Sequence, residues 1–349
     1  MSPPDVLVTG AAGYLGSKLV ARLARATAGG RILAADVREV AEAERLPGVN
    51  YLVLDVRDPA LARAVAEHRI DVIVHLAAIV TPAPGAGRDF QYSVDVGGTE
   101  NVITAAVAGG VRRLVVTSSG AAYGYHADNP AWLTEEHPLR GNEEFAYAHH
   151  KRLVEERLAR CRRRHPELEQ VIFRVGTILG EGTSNQITAL FDRPRLLAVS
   201  GGDDRFVFVW DEDVAACLER AITSPVTGVF NLAGDGALTM AELATRMGKP
   251  LLRLPASLLR AALAVARPLG LVPYGPEQVK FLKYRPVLDN TRLKEVFGFV
   301  PRKISSEVFD LFLASRNDSL ARRATEGSLG FQSQVPVAEP GSEGEGLGG

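Results

Sequence analysis

The stretch that most constrains this chain is the junction of "DVLV" with "TGAAGYLG", residues 5 to 16. A short β-branched run passes directly into glycines at 10, 13 and 16, and the residues from Tyr14 onward read as a helix. Glycines at a strand-to-helix turn let backbone N–H groups approach a phosphate, and the helix start adds partial positive charge. Such a turn is informative only with a strand before it, a helix after it and an acidic residue ending the next strand. All three are present, with Asp36 closing "RILAAD" twenty residues beyond Gly16. A carboxylate there accepts hydrogen bonds from ribose hydroxyls and repels a 2′-phosphate, which favours NAD over NADP. Arg38, two residues later, acts in the opposite direction.

The same strand-and-helix alternation continues through "VNYLVLD" at 49–55, "DVIVHLAA" at 71–78, "RRLVVTSS" at 112–119 and "EQVIFRV" at 169–175. Continuous apolar strands separated by helices, such as those over 14–27 and 97–108, predict an α/β fold with a doubly wound, Rossmann-like parallel sheet. Residues 1–180 are assigned to this dinucleotide-binding region. Beyond Gly180 the pattern loosens into a smaller mixed C-terminal lobe, 181–317, expected to serve mainly for substrate binding. Its predicted pieces include strands at "RFVFVW" and "GVFNLA" and helices near 213–223, 239–247, 256–266, 276–283 and 305–316. The segment 318–349, ending "EPGSEGEGLGG", lacks the apolar residues to order itself and is read as a disordered tail.

A formal net charge of -1 gives no overall field for nucleic acid, and the basic run Arg160–His165 falls at a predicted helix end, where cations oppose the helix dipole. Cys161 and Cys217 sit in helical patterns without CxxC spacing, so neither a disulfide framework nor a metal site is expected. His149 and His150 are read as helix-surface imidazoles with no metal-ligand spacing. No leader pattern and no long uncharged apolar run appears, so a cytoplasmic protein without a membrane span is expected.

Taken in order, "TGAAGYLG", "LDVRD", "HLAA", "VDVGGTENV", "TSSGAAYG", "TEEHPL", "YAHHK" and "FRVGTILG" make the chain resemble the extended short-chain dehydrogenase/reductase family, also called the NAD-dependent epimerase/dehydratase family. The likeness covers roughly residues 5–315. It implies that Tyr147 is the general acid/base, that Lys151 holds the nicotinamide ribose and lowers the tyrosine's pKa, and that Ser119 hydrogen-bonds the reacting oxygen. Ser118 is expected to line the cofactor cleft with Thr117. The resemblance places NAD against Gly10, Ala12, Gly13, Tyr14, Leu15 and Gly16, its adenine edge at Asp55 and Val56, its phosphates by Leu76, Ala77 and Ala78, and its carboxamide at Val175. Asp95 stands where the family often has Asn, and Val175 where it often has Pro.

Family members acting on nucleotide-sugars commonly carry an Asn after the strand ending in Arg and an Arg ahead of the "hVdDvA" segment. Here those positions read Thr177 and Phe206, with Arg205 one residue away. The segment "PASLLRAALAVARPLGL", with Arg253 just ahead of it, sets Arg253, Arg260 and Arg267 at seven-residue intervals, a basic stripe opposite an apolar face. It is read as a lid helix, with an apolar substrate or a membrane surface as the sharper alternatives. The expected partner is a small-molecule substrate, and a homodimer is an assembly the resemblance allows. The expected activity is NAD-dependent redox chemistry on a secondary alcohol or ketone. The alternatives are a nucleotide-sugar epimerase or dehydratase that recycles NAD internally and a silent NAD-binding regulatory protein.

Overall fold

The β-branched runs form one parallel sheet whose inner strands are covered on both faces, while its edge strand Val49–Val53 is partly exposed. The computed structural model describes residues 3–26, 30–83, 85–185, 187–202, 204–272 and 275–317. Its strands in chain order are β1 (Val6–Thr9), β2 (Ile32–Asp36), β3 (Val49–Val53), β4 (Val72–His75), β5 (Arg113–Ser119), β6 (Glu169–Val175), β7 (Thr177–Leu179), β8 (Leu196–Val199), β9 (Phe208–Trp210), β10 (Gly228–Leu232) and β11 (Leu251–Leu254). Seven of them form the main sheet in the order β10-β6-β5-β4-β1-β2-β3, every pair parallel. Side chains alternate across it. Leu7, Ile73, Leu114 and Ile172 pack under Val102, Val154 and Leu158, while Val8, Val74, Val115 and Phe173 pack under Leu19, Val214 and Leu218.

The chain builds outward from β1 to β3 and then returns to lay β4 on β1's other side. The crevice at that reversal, beyond the strands' carboxyl ends, is where doubly wound sheets bind ligands. The loops after β1 and β4 meet there.

The remainder corrects the expected partition in one respect. "GVFNLA" does not stay in the C-terminal lobe; as β10 it extends the main sheet from β6, Gly228 opposite Val171 through Leu232 opposite Val175. Helix Asp211–Thr223 likewise packs on helix Tyr14–Arg25, sealed by Arg22 to Glu219 at 2.7 Å. Hydrophobic strand patterns do not carry the address of their neighbour, so a strand that follows a long excursion reads like part of that excursion. The lobe itself keeps two small parallel pairs, β7 with β9 and β8 with β11, around Phe191, Phe206, Phe208, Phe309 and Phe312. Helix Ala256–Ala266 buries only Leu259, leaving Leu258 and Val265 exposed, and Arg267 lies 3.5 Å from Glu277. No helix among the described residues is long and apolar enough to cross a membrane. The tail assigned to 318–349 lies outside the described residues.

Candidate active site

The glycine turn is closed by backbone on all sides. Gly10 has φ +70° and a Cβ there would lie 2.7 Å from the Ala77 nitrogen; at Gly16 it would lie 2.1 Å from the Gly10 carbonyl oxygen. Neither obstacle is a side chain that can swing away, so both positions require glycine. The helix that follows, Tyr14–Arg25 behind Gly13, has no side-chain cap and no acid in its first turn. Its leading N–H groups are therefore available to an anion. Asp36 Oδ2 accepts the Ala12 N–H at 3.0 Å, and Oδ1 accepts the Arg38 N–H at 3.0 Å. This cradle fits a dinucleotide's diphosphate and ribose.

Arg38 Nη2 lies 4.0 Å from the site of a Gly13 Cβ, and the side chain is 63% exposed. Its Nε lies 3.4 Å from Asp36 Oδ1, so a cation stands beside the carboxylate. Asp36→Ala is therefore expected to narrow the preference for NAD over NADP several-fold, as read by paired binding titrations. Equal affinities in the unaltered protein would show that Arg38 already cancels the carboxylate.

The other dinucleotide residues divide into two groups. Leu15, Leu76, Ala78, Thr117 and Val175 line one continuous cavity of about 630 Å³. Ala77 backs Gly10. Tyr14 departs from expectation, because its hydroxyl is engaged by Asp211, by Thr183 at 2.8 Å and by the Glu181 carbonyl at 3.2 Å. Only its backbone N–H remains for a cofactor. Asp55 is bound by Arg57 Nη2 at 2.5 Å, which holds its carboxyl below the usual range. Val56 is buried against Gly98, and its carbonyl accepts from Asn101 at 2.8 Å, leaving its N–H for the adenine edge.

Ser119 ends β5, while Tyr147 and Lys151 stand one turn apart on helix Ala146–Arg164. All three line the same cavity. Ser119 Oγ accepts the Ala121 N–H at 3.1 Å and acts on the Tyr147 hydroxyl, whose pKa it draws down. Lys151 Nζ donates to the Thr117 carbonyl at 2.9 Å and lies 5.7 Å from the Tyr147 ring centre. Burial pushes the Tyr147 hydroxyl up to about 12, the Ser119 bond draws it back, and the Asp95 charge pushes it up. Burial also lowers the Lys151 pKa against the pull of Asp95 and Glu155. With the Lys151 ammonium held at the Thr117 carbonyl, burial is the largest influence on the Tyr147 hydroxyl, which stands as a phenol.

His150 also departs from expectation. Helix Ala146–Arg164 turns Ala148, His150, Lys151, Val154 and Glu155 to the inside. His150 is 1% exposed, its Nδ1 3.0 Å from Asp95 Oδ2, its ring edge-on to Tyr92. Asp95 sits in a π-helical turn, Ser93–Gly97, and its Oδ1 accepts the Ile79 N–H at 2.8 Å. Such single turns are frequent at functional sites. His149 is half-buried beside Arg152. Ser118 touches the cavity wall, but its hydroxyl donates to Glu155 at 2.5 Å. Glu155 in turn receives Arg174 through bonds of 2.8 and 3.0 Å.

The substrate half of the cavity holds Thr177, Arg205 and Phe206, as the sequence places them, and also Tyr125, Phe281 and Arg285, which the sequence reading did not single out. Arg205 Nη2 donates to the Ala131 carbonyl at 3.0 Å, and its guanidinium lies over Trp132. Arg285 comes from a segment more than a hundred residues past the catalytic helix, and no local spacing announces it.

Residues 6–233 match the NAD dependent epimerase/dehydratase family. The chain is 26% identical over 317 residues to an uncharacterised protein of Mycobacterium tuberculosis, covering 90% of this chain and 84% of that one. It is 28% identical over 284 residues to an Arabidopsis thaliana 3β-hydroxysteroid-dehydrogenase/decarboxylase, covering 72% of this chain and 49% of that one. In fold it is similar to the UDP-glucose 4-epimerase of Thermotoga maritima solved with UDP-glucose, at a TM-score of 0.71 and 20% identity over 90% of this chain and 99% of that one. The glycine cradle with its carboxylate, the sheet order and this match agree: the chain belongs to the NAD dependent epimerase/dehydratase family.

Proposed function

We propose that the protein is a dehydrogenase/reductase that interconverts a largely apolar secondary alcohol and its ketone. The observation that carries this reading is the substrate wall. Phe206, Phe281, Phe145 and Tyr125 line the cavity, and Phe206 stands at the sequence position where the resemblance to nucleotide-sugar enzymes would put an arginine. The Arabidopsis relative, named as a hydroxysteroid dehydrogenase, supports an apolar alcohol.

NAD supplies the hydride acceptor or donor when bound. The reacting oxygen is received between Ser119 Oγ and the Tyr147 hydroxyl, and Tyr147 delivers or accepts its proton. Lys151, held by the Thr117 carbonyl, is placed to grip the nicotinamide ribose. The uncapped helix behind Gly13 takes the diphosphate, and Asp36 takes the adenosine ribose. A silent binding protein would have no use for Ser119, Tyr147 and Lys151 brought to one cavity wall.

The second reading, a nucleotide-sugar epimerase that returns the hydride to its substrate, draws on Arg205 at the cavity and on the Thermotoga fold likeness. One titration separates the two. A diphosphate would bring its charges to a wall of phenylalanines whose Arg205 is turned to the Ala131 carbonyl and Trp132, and burying charge that is incompletely matched is costly. UDP is therefore expected to bind the NAD-loaded protein no better than about millimolar, roughly 4 kcal/mol of affinity. Ketones should meanwhile consume reduced cofactor in step with product. Micromolar UDP binding abolished by Arg205→Ala would put the epimerase first.

A further inference from the structure

We propose that Arg285 anchors a carboxylate of the substrate, so that the molecule turned over is an apolar hydroxy or keto acid bearing a single negative charge. This rests on the dehydrogenase reading above and narrows it.

Arg285 follows helix Gln278–Lys283 and precedes Pro286. Its guanidinium lies between two rings, 4.3 Å from the centre of Phe206 and 4.1 Å from that of Phe281. The rings attract the cation's two faces. They do nothing for its edge. Nε and Nη2 are buried and have no hydrogen-bond partner among the described residues. Those two nitrogens form one side of the guanidinium fork, which matches the two oxygens of a carboxylate. Burial lowers the pKa to about 10, so the group keeps its charge at neutral pH. An enclosed cation with an unmet edge is strongly unfavourable unless an anion completes it.

The chain's own acids near this wall are engaged elsewhere. Glu144 meets Lys280 at 2.7 Å, and Glu277 accepts the Gly275 N–H at 3.1 Å and faces Arg267. The cavity's other arginine, Arg205, is directed to the Ala131 carbonyl and Trp132. One unmatched positive charge between phenylalanines suits one carboxylate. A diphosphate would bring more charge than this edge can meet. Tyr125, Arg285 and Tyr147 line the same cavity, so an anion held at Arg285 and an oxygen at Tyr147 would belong to one bound molecule.

The test titrates the NAD-loaded protein with 4-oxocyclohexanecarboxylate, the matching neutral carboxamide, inorganic phosphate and UDP. The carboxylate is expected to bind at least about tenfold more tightly than the carboxamide, as a charge-assisted bidentate pair should. Arg285→Met should erase that preference, and Arg285→Lys, which keeps the charge without the fork, should restore only part of it. NAD titration of each variant shows that the cofactor half is intact. If a variant fails to bind NAD, the comparison of carboxylate with carboxamide in the unaltered protein still decides. Equal binding of the two, binding of neither, tighter binding of phosphate, or a preference that survives in Arg285→Met overturns the proposal. Tight UDP binding instead overturns the dehydrogenase reading beneath it. Reduction of neutral ketones without any carboxylate preference would leave that reading standing and remove this one.

Discussion

Tyr147→Phe is expected to lower turnover by about 10²–10⁴ while leaving NAD affinity nearly unchanged. The substitution removes one oxygen, the proton donor beside Ser119, and touches neither the glycine turn nor Asp36. Lys151→Met should damage both turnover and cofactor binding, because its ammonium is fixed at the Thr117 carbonyl on the cofactor side. Single-turnover rates alongside NAD titration separate the two effects. A Phe variant that keeps more than roughly a tenth of the activity would remove Tyr147 from the proton-transfer role. The pH dependence follows from the same burial. With the hydroxyl pushed up to about 12, the phenol stays protonated through neutral pH. Ketone reduction, which takes its proton, should then be flat across neutral pH, and alcohol oxidation, which needs the phenolate, should rise as pH rises. An oxidation rate that falls from neutral to alkaline pH would contradict this assignment.

What the sequence made legible was local or strongly patterned. Six strands of the main sheet read directly as continuous apolar runs, since a strand covered on both faces needs no alternation. The glycine turn read correctly because Gly10 and Gly16 answer to backbone contacts a few residues away and to one neighbouring loop. The meeting of Ser119 with Tyr147 and Lys151 was carried by family resemblance, not by spacing, because β5 and the catalytic helix are joined through a loop whose course no pattern states. His150 was misread for a simpler reason. A helix rich in charge looked exposed throughout, yet Asp95, on a turn fifty-five residues earlier, supplies a buried partner that lets an imidazole face inward. Tyr14 and Arg285 show the same limit from opposite directions. The Tyr14 hydroxyl is held by Asp211, a partner almost two hundred residues away, which leaves its backbone N–H for a cofactor, while Arg285 has no local signature and gains meaning only from Phe206 and Phe281 on other segments.

Arg174→Met is expected to destabilise the fold by about 3–5 kcal/mol, the loss typical when one partner of a buried ion pair is removed. Arg174 and Glu155 are 7% and 4% exposed, joined at 2.8 Å, and the guanidinium also reaches the Tyr123 hydroxyl at 2.8 Å and the Glu135 carbonyl at 3.0 Å. Removing the arginine leaves Glu155 hydrogen-bonded only by the Ser118 hydroxyl among the described residues, a buried carboxylate without its ion-pair partner where helix Ala146–Arg164 faces β5. The double variant Arg174→Met with Glu155→Leu should recover much of the loss, since it removes the stranded charge along with its partner. Urea denaturation of the two single variants and the double gives the coupling directly. A single variant within about 1 kcal/mol of the unaltered protein would mean that water reaches Glu155 and that the pair is not a structural tie. The same tie bears on chemistry. Ser118 precedes Ser119, Glu155 follows Lys151 by one turn, and Arg174 precedes Val175, so one ion pair links the three segments that carry Ser119, Lys151 and Val175. Folded Arg174→Met should therefore lose turnover more than NAD affinity, because the glycine cradle stands apart from this tie while Ser119 and Lys151 depend on it for their separation.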